Sequence, residues 1–133
     1  MNDAIEQEIQ DKGLTAPRIT PADIEANIAS EHYFTASEGR SGAIMQGTYA
    51  GREKPSLNDG DLLPLQLLTF CVIVLRNGFT VTGESACASP ENFDAELGRK
   101  IARQNAVNKI WPLMGYELRS KLHVAKEQEE TRL

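Results

Sequence analysis

Residues 68–85, LTFCVIVLRNGFTVTGES, decide the fold. Two runs rich in β-branched and aromatic residues flank Asn77-Gly78. Because Asn-Gly tolerates positive φ at both central positions of a type I′ turn, this pattern predicts a β-hairpin with a two-residue loop. The cross-strand pairs that follow are Arg76 with Phe79, Val74 with Val81, and Phe70 with Ser85.

The first strand of this hairpin is apolar on both faces. In the predicted register one face contacts a helix and carries Phe70, Val72, Val74, Phe79 and Val81. The other face is apolar on the first strand and polar on the second, with Cys71, Ile73 and Leu75 beside Thr80, Thr82 and Glu84. We therefore expect the N-terminal arm, residues 57–68 or a second subunit to cover the first strand.

A long helix follows the hairpin in the sequence. It is predicted to begin around Asn92 and to run to Ile110 or Trp111, where Pro112 ends or kinks it. Small residues recur every four positions at Gly98, Ala102 and Ala106. Such spacing lets a helix lie close to a sheet, so we assign this stripe to core packing. A second helical piece should reach about Lys126, and residues 123–133 form a frayed, charged tail.

The segment before the hairpin contains a helix start. Residues 1–18 are polar and acidic and predict a flexible arm. Thr20 fits the N-cap of a helix with Pro21 at its first position and Asp23 at N3. This helix should end near Ser30 or Glu31, before a strand at 32–35. The glycine-rich segment 39–60 predicts a long mobile loop.

These elements predict one α+β domain over residues 19–122, in the order α-β-β-β-α. A three-stranded antiparallel sheet built on the hairpin would pack on the long C-terminal helix. A chain of 133 residues has little room for a second domain.

Composition excludes several classes of function. The net charge of −5 argues against general binding of nucleic acid or of acidic membranes. The N-terminus lacks the apolar core of a signal peptide, and the apolar run 62–75 is too short for a membrane span, so we expect a cytoplasmic protein. Two cysteines and two distant histidines give no metal-ligand spacing, and we expect neither a metal nor a cofactor.

No catalytic constellation is visible. Ser85 lacks the G-x-S-x-G elbow and a nearby histidine, and the cysteines lie on strands rather than at a helix N-terminus. Glu84 could be partly desolvated beside an apolar neighbour, or it could pair with Arg99 or Lys100. We predict that the protein is not an enzyme.

The segments ITPADIEANIASEHYFTA and FCVIVLRNGF…TGES…ENFD…GRKIA…KIWPLMGY carry a resemblance. In this order they are similar to a family of small proteins of tailed bacteriophages and prophages, typified by a member from the Enquatrovirus coliphages. The resemblance covers residues 19–122 and implies an accessory role in the host cytoplasm, but no catalytic residues. Met114 departs from the acidic residue that we expect there in the family, so no carboxylate role carries over to that position.

The order of elements also resembles that of the double-stranded-RNA-binding domain. GRKIARQNAVNKIW is similar to the last helix of that domain, whose basic residues contact phosphates. Here, however, Glu91, Asp94 and Glu96 surround the helix N-terminus that would approach the anion. The resemblance therefore predicts a topology, and nucleic-acid binding is not expected.

We favour a non-enzymatic phage accessory protein that binds and modulates a host protein, such as a defence or transcription factor. The residues expected to contact it are Arg99, Lys100, Arg103 and Trp111 on the long helix, followed by Tyr33 and Glu84. The alternative is an oligomer that sequesters a nucleotide or another small ligand, since guanidinium and aromatic groups suit phosphate and base. A nucleic-acid-binding domain is the third hypothesis.

Overall fold

The computed structural model describes residues 3–48 and 62–132. It contains a three-stranded antiparallel sheet of order β1-β2-β3, with a long helix packed across one face. This confirms the predicted α+β fold. The elements are α1 Asp3–Asp11, α2 Pro21–Ala26, β1 Ile28–Thr35, α3 Ala36–Met45, β2 Leu68–Leu75, β3 Thr80–Ala86 and α4 Ala95–Arg132.

The hairpin forms where predicted, but its register differs by one residue. Val74 lies opposite Thr80 and Phe70 opposite Glu84, so the loop holds three residues rather than two. Gly78 has φ of 89°, and Asn77 does not have a positive φ, which excludes the type I′ turn. Arg76 is hydrogen-bonded to the end of α2, through Nε to the Ala26 carbonyl at 3.0 Å and through its backbone N–H. This tertiary anchor favours the three-residue loop with glycine in the left-handed region.

Because the side-chain period of a strand is two, the shift reverses which face of β2 lies against α4, while Val81 of β3 faces α4 as predicted. The face against α4 carries Cys71, Ile73, Leu75, Val81 and the small Gly83. The prediction that Phe70, Val72 and Val74 face the long helix is therefore wrong. These three are half-buried on the opposite face, where the ring of Phe70 packs on that of Phe34 with centroids 5.7 Å apart. Both cysteines are free.

Close approach of α4 to the sheet is made possible by small residues, as predicted. Ala102 and Ala106 are completely buried over β3. A Cβ added at Gly83 would collide with the backbone of both residues. Near the start of α4, Gly98 lies against the side chain of the buried Thr69. Ile110 and Ile24 complete the core where the helix passes α2.

The helix start at Thr20 is confirmed. Thr20 Oγ1 accepts a hydrogen bond from the Asp23 N–H at 3.1 Å, and Asp23 returns one to the Thr20 N–H at 2.9 Å. The helix ends earlier than predicted, at Ala26, because the chain already pairs with β2 from Ile28 onward. The strand predicted at 32–35 is therefore the second half of β1.

The predicted loop over 39–60 is wrong in its first part, which belongs to helix α3. A second capping box, Thr35 with Glu38, starts this helix directly at the end of β1. Gly39 packs beneath the ring of Phe34, which offsets the cost of about 1 kcal/mol for a glycine inside a helix. The rest of the predicted loop, from residue 49 onward, lies outside the described residues.

Helix α4 continues through Pro112 to Arg132, so the predicted end or kink at Pro112 is wrong, and the residues predicted as a charged tail belong to the same helix. Proline lacks the N–H that would bond to the carbonyl of Asn108, a residue that is exposed to water. Trp111 and Met114 pack against the core on either side of the proline. Tertiary contacts therefore hold the direction of the helix where the local sequence favours an end.

The N-terminal segment contains helix α1, which has no buried residues. Its link to the chain that follows is Arg18, whose guanidinium donates to both carboxylate oxygens of Glu6 at 2.8 and 2.7 Å. The hydrogen bonds from Arg18, and then from Gln10, lower the pKa of Glu6 to about 2. Within residues 3–48 and 62–132, α1 and α3 add two α-helices to the predicted α-β-β-β-α order.

Candidate functional site

A cavity of about 140 Å³ lies where the start of α4 meets the ends of β1 and β2. Two of the residues predicted from the sequence, Arg99 and Tyr33, meet there. The other lining residues include Phe34, Glu38, Thr69 and Phe93. Aromatic side chains thus supply much of the lining, and a guanidinium supplies its positive charge.

Unlike Lys100 and Arg103 on the same helix, Arg99 lies at the cavity with a charge that no carboxylate of the described residues neutralises. It is exposed, and it forms no ion pair with any residue of 3–48 or 62–132. Glu38, on the same cavity, already accepts the Thr35 N–H at 3.0 Å. A planar guanidinium can receive a carboxylate through two parallel hydrogen bonds.

Arg103, in contrast, is fully engaged. It donates through Nη2 to Glu25 at 2.9 Å and through Nε to Glu31, joining α4 to α2 and β1. Burial would lower the pKa of Arg103, but the hydrogen bonds to Glu31 and Glu25 outweigh it and raise that pKa. This arrangement makes Arg103 a structural crosslink with little capacity left for a ligand.

Tyr33 belongs to the same network as Arg103. Its hydroxyl donates to Glu31 at 3.0 Å, while its ring reaches the cavity. Burial, and then the bond to Glu31, raise the pKa of Tyr33 above its ordinary range. Burial also raises the pKa of the neighbouring Cys71 thiol, which disfavours its nucleophilic form.

The three other predicted residues lie apart from this cavity. Lys100 is exposed and pairs with Glu96 one turn away at 3.5 Å. Trp111 packs against the core near the middle of α4. Glu84 is exposed and faces Phe70 across the outer side of the sheet, so the predicted desolvation is wrong. The predicted pairing with Arg99 or Lys100 is also wrong, because Glu84 lies on the face of the sheet away from α4.

Sequence reasoning missed Phe93, Phe34 and Thr69 as members of the cavity. Phe93 lies just before α4 in the segment ENFD. An apolar side chain among helix-capping residues is the sequence signal that could have identified it. Thr69 is the one polar position near the start of an apolar strand, and only 3% of it is exposed. Their convergence depends on the pairing of β1 with β2, which the sequence does not specify.

Within residues 3–48 and 62–132, no three His, Cys, Asp or Glu side chains are grouped to hold a metal ion. None of the helices in these ranges combines the length and the apolar character needed to cross a bilayer.

Comparison with known proteins identifies the family. Residues 19–122 match the model of the phage protein (N4 Gp49/phage Sf6 gene 66) family. Because the match spans more than three quarters of the chain, the protein belongs to this family. No curated protein and no solved structure matches the chain. The similarity in topology to the double-stranded-RNA-binding domain is therefore not confirmed.

Proposed function

We propose that this member of a phage protein family is a non-enzymatic accessory protein that binds a host protein and modulates it, with the Arg99 cavity as the contact. The observation that carries the proposal is the unneutralised guanidinium of Arg99 beside Tyr33, Phe34 and Phe93. Arginine and aromatic residues dominate the binding energy of protein interfaces when they lie at a recess that a partner can fill.

The size of the cavity supports a protein partner over a nucleotide. Its volume of about 140 Å³ suits one side chain. Pockets for cofactors and drug-sized ligands are larger, roughly 300–1,000 Å³. An acidic side chain or a terminal carboxylate of the partner is the complementary group, because it can form a bidentate pair with Arg99.

The charges on α4 also disfavour nucleic acid as the target. Arg103 is neutralised by two carboxylates and Lys100 by one. Phosphate backbones are bound by several free cations acting together, and of the three basic residues predicted as contacts Arg99 alone lacks a carboxylate partner in the described part of the chain. A host factor of defence or transcription with an acidic contact loop fits the site better.

The test uses two adjacent arginine and lysine variants. Tagged protein is incubated with bacterial lysate, and retained species are identified by native mass spectrometry. Arg99→Glu should abolish retention of the partner, because it places a carboxylate against a carboxylate. Lys100→Glu makes the same change in charge one residue away, outside the cavity, and should retain the partner.

Two results would count against this function. Equal loss of the partner in both variants would indicate attraction by general charge, and equal retention would remove the cavity from the interface. Circular dichroism spectra should match for all three proteins, so that a folding defect is not mistaken for loss of binding.

A further inference from the structure

The C-terminal part of α4 leaves the domain and exposes one apolar face. From Arg119 to Arg132 every residue is exposed. Exposed fractions are 40% for Leu113, 77% for Tyr116 and 49% for Val124. At 3.6 residues per turn these three side chains, with the small Ser120 between them, lie within an arc of about 80°. We name this surface, formed by Lys109, Leu113, Tyr116, Ser120, Val124 and Glu127, the tail face.

A groove continues the tail face towards the sheet. It lies between the edge strand β3 and α4, measures about 470 Å³, and is lined by Phe79, Val81, Thr82, Lys109 and Leu113 among others. Its surface is mostly apolar, and 55% of Phe79 is exposed at its end. An apolar groove beside a projecting apolar helix is a surface on which a second helix can pack.

We propose that a second copy of this chain occupies the groove, so that two protomers associate through antiparallel α4 helices. The tail face is complementary to itself in an antiparallel register. With the two-fold axis level with Leu118 and Arg119, Leu113 meets Val124 of the second copy, and Tyr116 covers the small Ser120. The part of the second helix around Val124 then enters the groove beside Phe79.

The charges select the antiparallel direction. In the same register Lys109 meets Glu127 of the second copy, and Glu117 meets Lys121. In a parallel pair each charged residue would instead lie opposite the same residue of the second copy, and the repulsion between like charges is unfavourable. Within one chain Glu117 pairs with Lys121 at 3.3 Å and Glu127 pairs with His123 at 3.0 Å, all on the exposed surface of the helix. On association these pairs within the chain can be replaced by pairs between the two copies. The apolar part of the tail face begins at Leu113, about 21 Å along α4 from Arg99, so this proposal is independent of the Arg99 cavity.

The first test measures mass against concentration by light scattering after gel filtration. The unmodified protein should reach the mass of a dimer as concentration rises. Tyr116→Glu and Val124→Glu should each raise the dissociation constant about tenfold or more, because each introduces a charge into the apolar contact. Leu122→Glu is the matched control, since Leu122 is exposed on the opposite side of the same helix, and it should leave the constant unchanged.

The second test fixes the register by disulfide formation. In a Cys87→Ser background, Leu113→Cys combined with Val124→Cys should give a covalent dimer on mild oxidation, while each single variant should not. Cys71 can remain because it is buried. Dimers from the Val124→Cys single variant would indicate a parallel pair and overturn the proposal. A monomer at every concentration, or a loss of dimer in Leu122→Glu alone, would overturn it as well.

Discussion

The two halves of α4 belong to one continuous helix but are stabilised in different ways. In the half from Ala95 to Trp111, buried residues include Ala102, Ala106 and Ile110, which pack on the sheet. In the half from Leu113 to Arg132 no residue is buried. Its internal support comes from exposed pairs one turn apart, such as Glu117 with Lys121 at 3.3 Å.

The difference indicates that the second half needs a partner more than the first half does. Exposed pairs of this kind contribute about 0.3–0.5 kcal/mol each, whereas most of the stability of helices in proteins comes from tertiary packing. The first half is held by its contacts with β2 and β3. The same secondary structure therefore reflects tertiary packing in one half and, by our proposal, association in the other.

The largest contrast should come from removing one apolar side chain in each half. Ile110→Ala deletes a completely buried side chain and should lower the free energy of unfolding by about 4 kcal/mol. Leu122→Ala removes an exposed side chain and should change it by less than about 0.5 kcal/mol. Urea unfolding at one fixed protein concentration measures both, and similar losses for the two would contradict the division of α4 into halves.

A pair of glycines tests the close approach of the first half to the sheet. Gly83→Ala places a methyl group against the backbone of Ala102 and Ala106, and should cost about 3 kcal/mol in unfolding free energy. Gly115→Ala meets nothing within 4 Å and should stabilise by roughly 0.5–1 kcal/mol through helix propensity. The two midpoints in urea should therefore move in opposite directions. A Gly83→Ala protein as stable as the original would show that β3 can move away from α4.

Pro112 marks the boundary between the two halves of α4. Its replacement should make the helix more stable at this boundary. Pro112→Ala restores the N–H for the carbonyl of Asn108 and should stabilise by about 2 kcal/mol, less than the full cost of an interior proline because that carbonyl is near water. Hydrogen exchange should slow for amides from 113 to 118. Unchanged exchange there would indicate that the proline already sits in a helix without strain.

The smallest expected effect concerns α1. An ion pair between Glu6 and Arg18 joins α1 to the chain that follows, whereas α4 is held to the sheet by apolar packing. The pKa of Glu6 is lowered to about 2 from an ordinary value of 4.5, so the contribution of its pair with Arg18 is present above about pH 4.5 and is lost as the pH falls towards 2. Hydrogen exchange in α1 should become faster over this range while that of β2 stays slow. Arg18→Ala should produce the same fast exchange at neutral pH, and a pH effect that persists in this variant would point to another group.

The sequence predicted the elements that rest on local chemistry. The capping box at Thr20, the hairpin around Asn77-Gly78 and the small-residue stripe of α4 all depend on residues close together in the chain. It failed at Pro112 and at the start of α3, where glycine and proline indicate breaks. At Pro112 packing of the helix against the core outweighs a local cost of about 3 kcal/mol, and at the start of α3 the capping box of Thr35 and Glu38 outweighs the cost of about 1 kcal/mol for a glycine.

For the candidate site, the residue types could be chosen from the sequence, but their grouping could not. Six residues were predicted to contact a ligand, and Arg99 and Tyr33 share the cavity. Lys100 and Arg103, the other basic residues that were predicted, differ from Arg99 because carboxylates neutralise their charges. Glu25 and Glu31 reach Arg103 only when α2 and β1 are in place.

By itself, the sequence determined that this chain forms an antiparallel sheet with a long helix close against it, because turn, cap and small-residue signals act over a few neighbouring residues. Only the tertiary structure decided which face of β2 is covered, since the anchor from Arg76 to α2 shifts the hairpin by one residue and a strand alternates with a period of two. It also decided that Arg103 is neutralised while Arg99 is not, because the carboxylates that pair with Arg103 lie about 70 residues away in the chain.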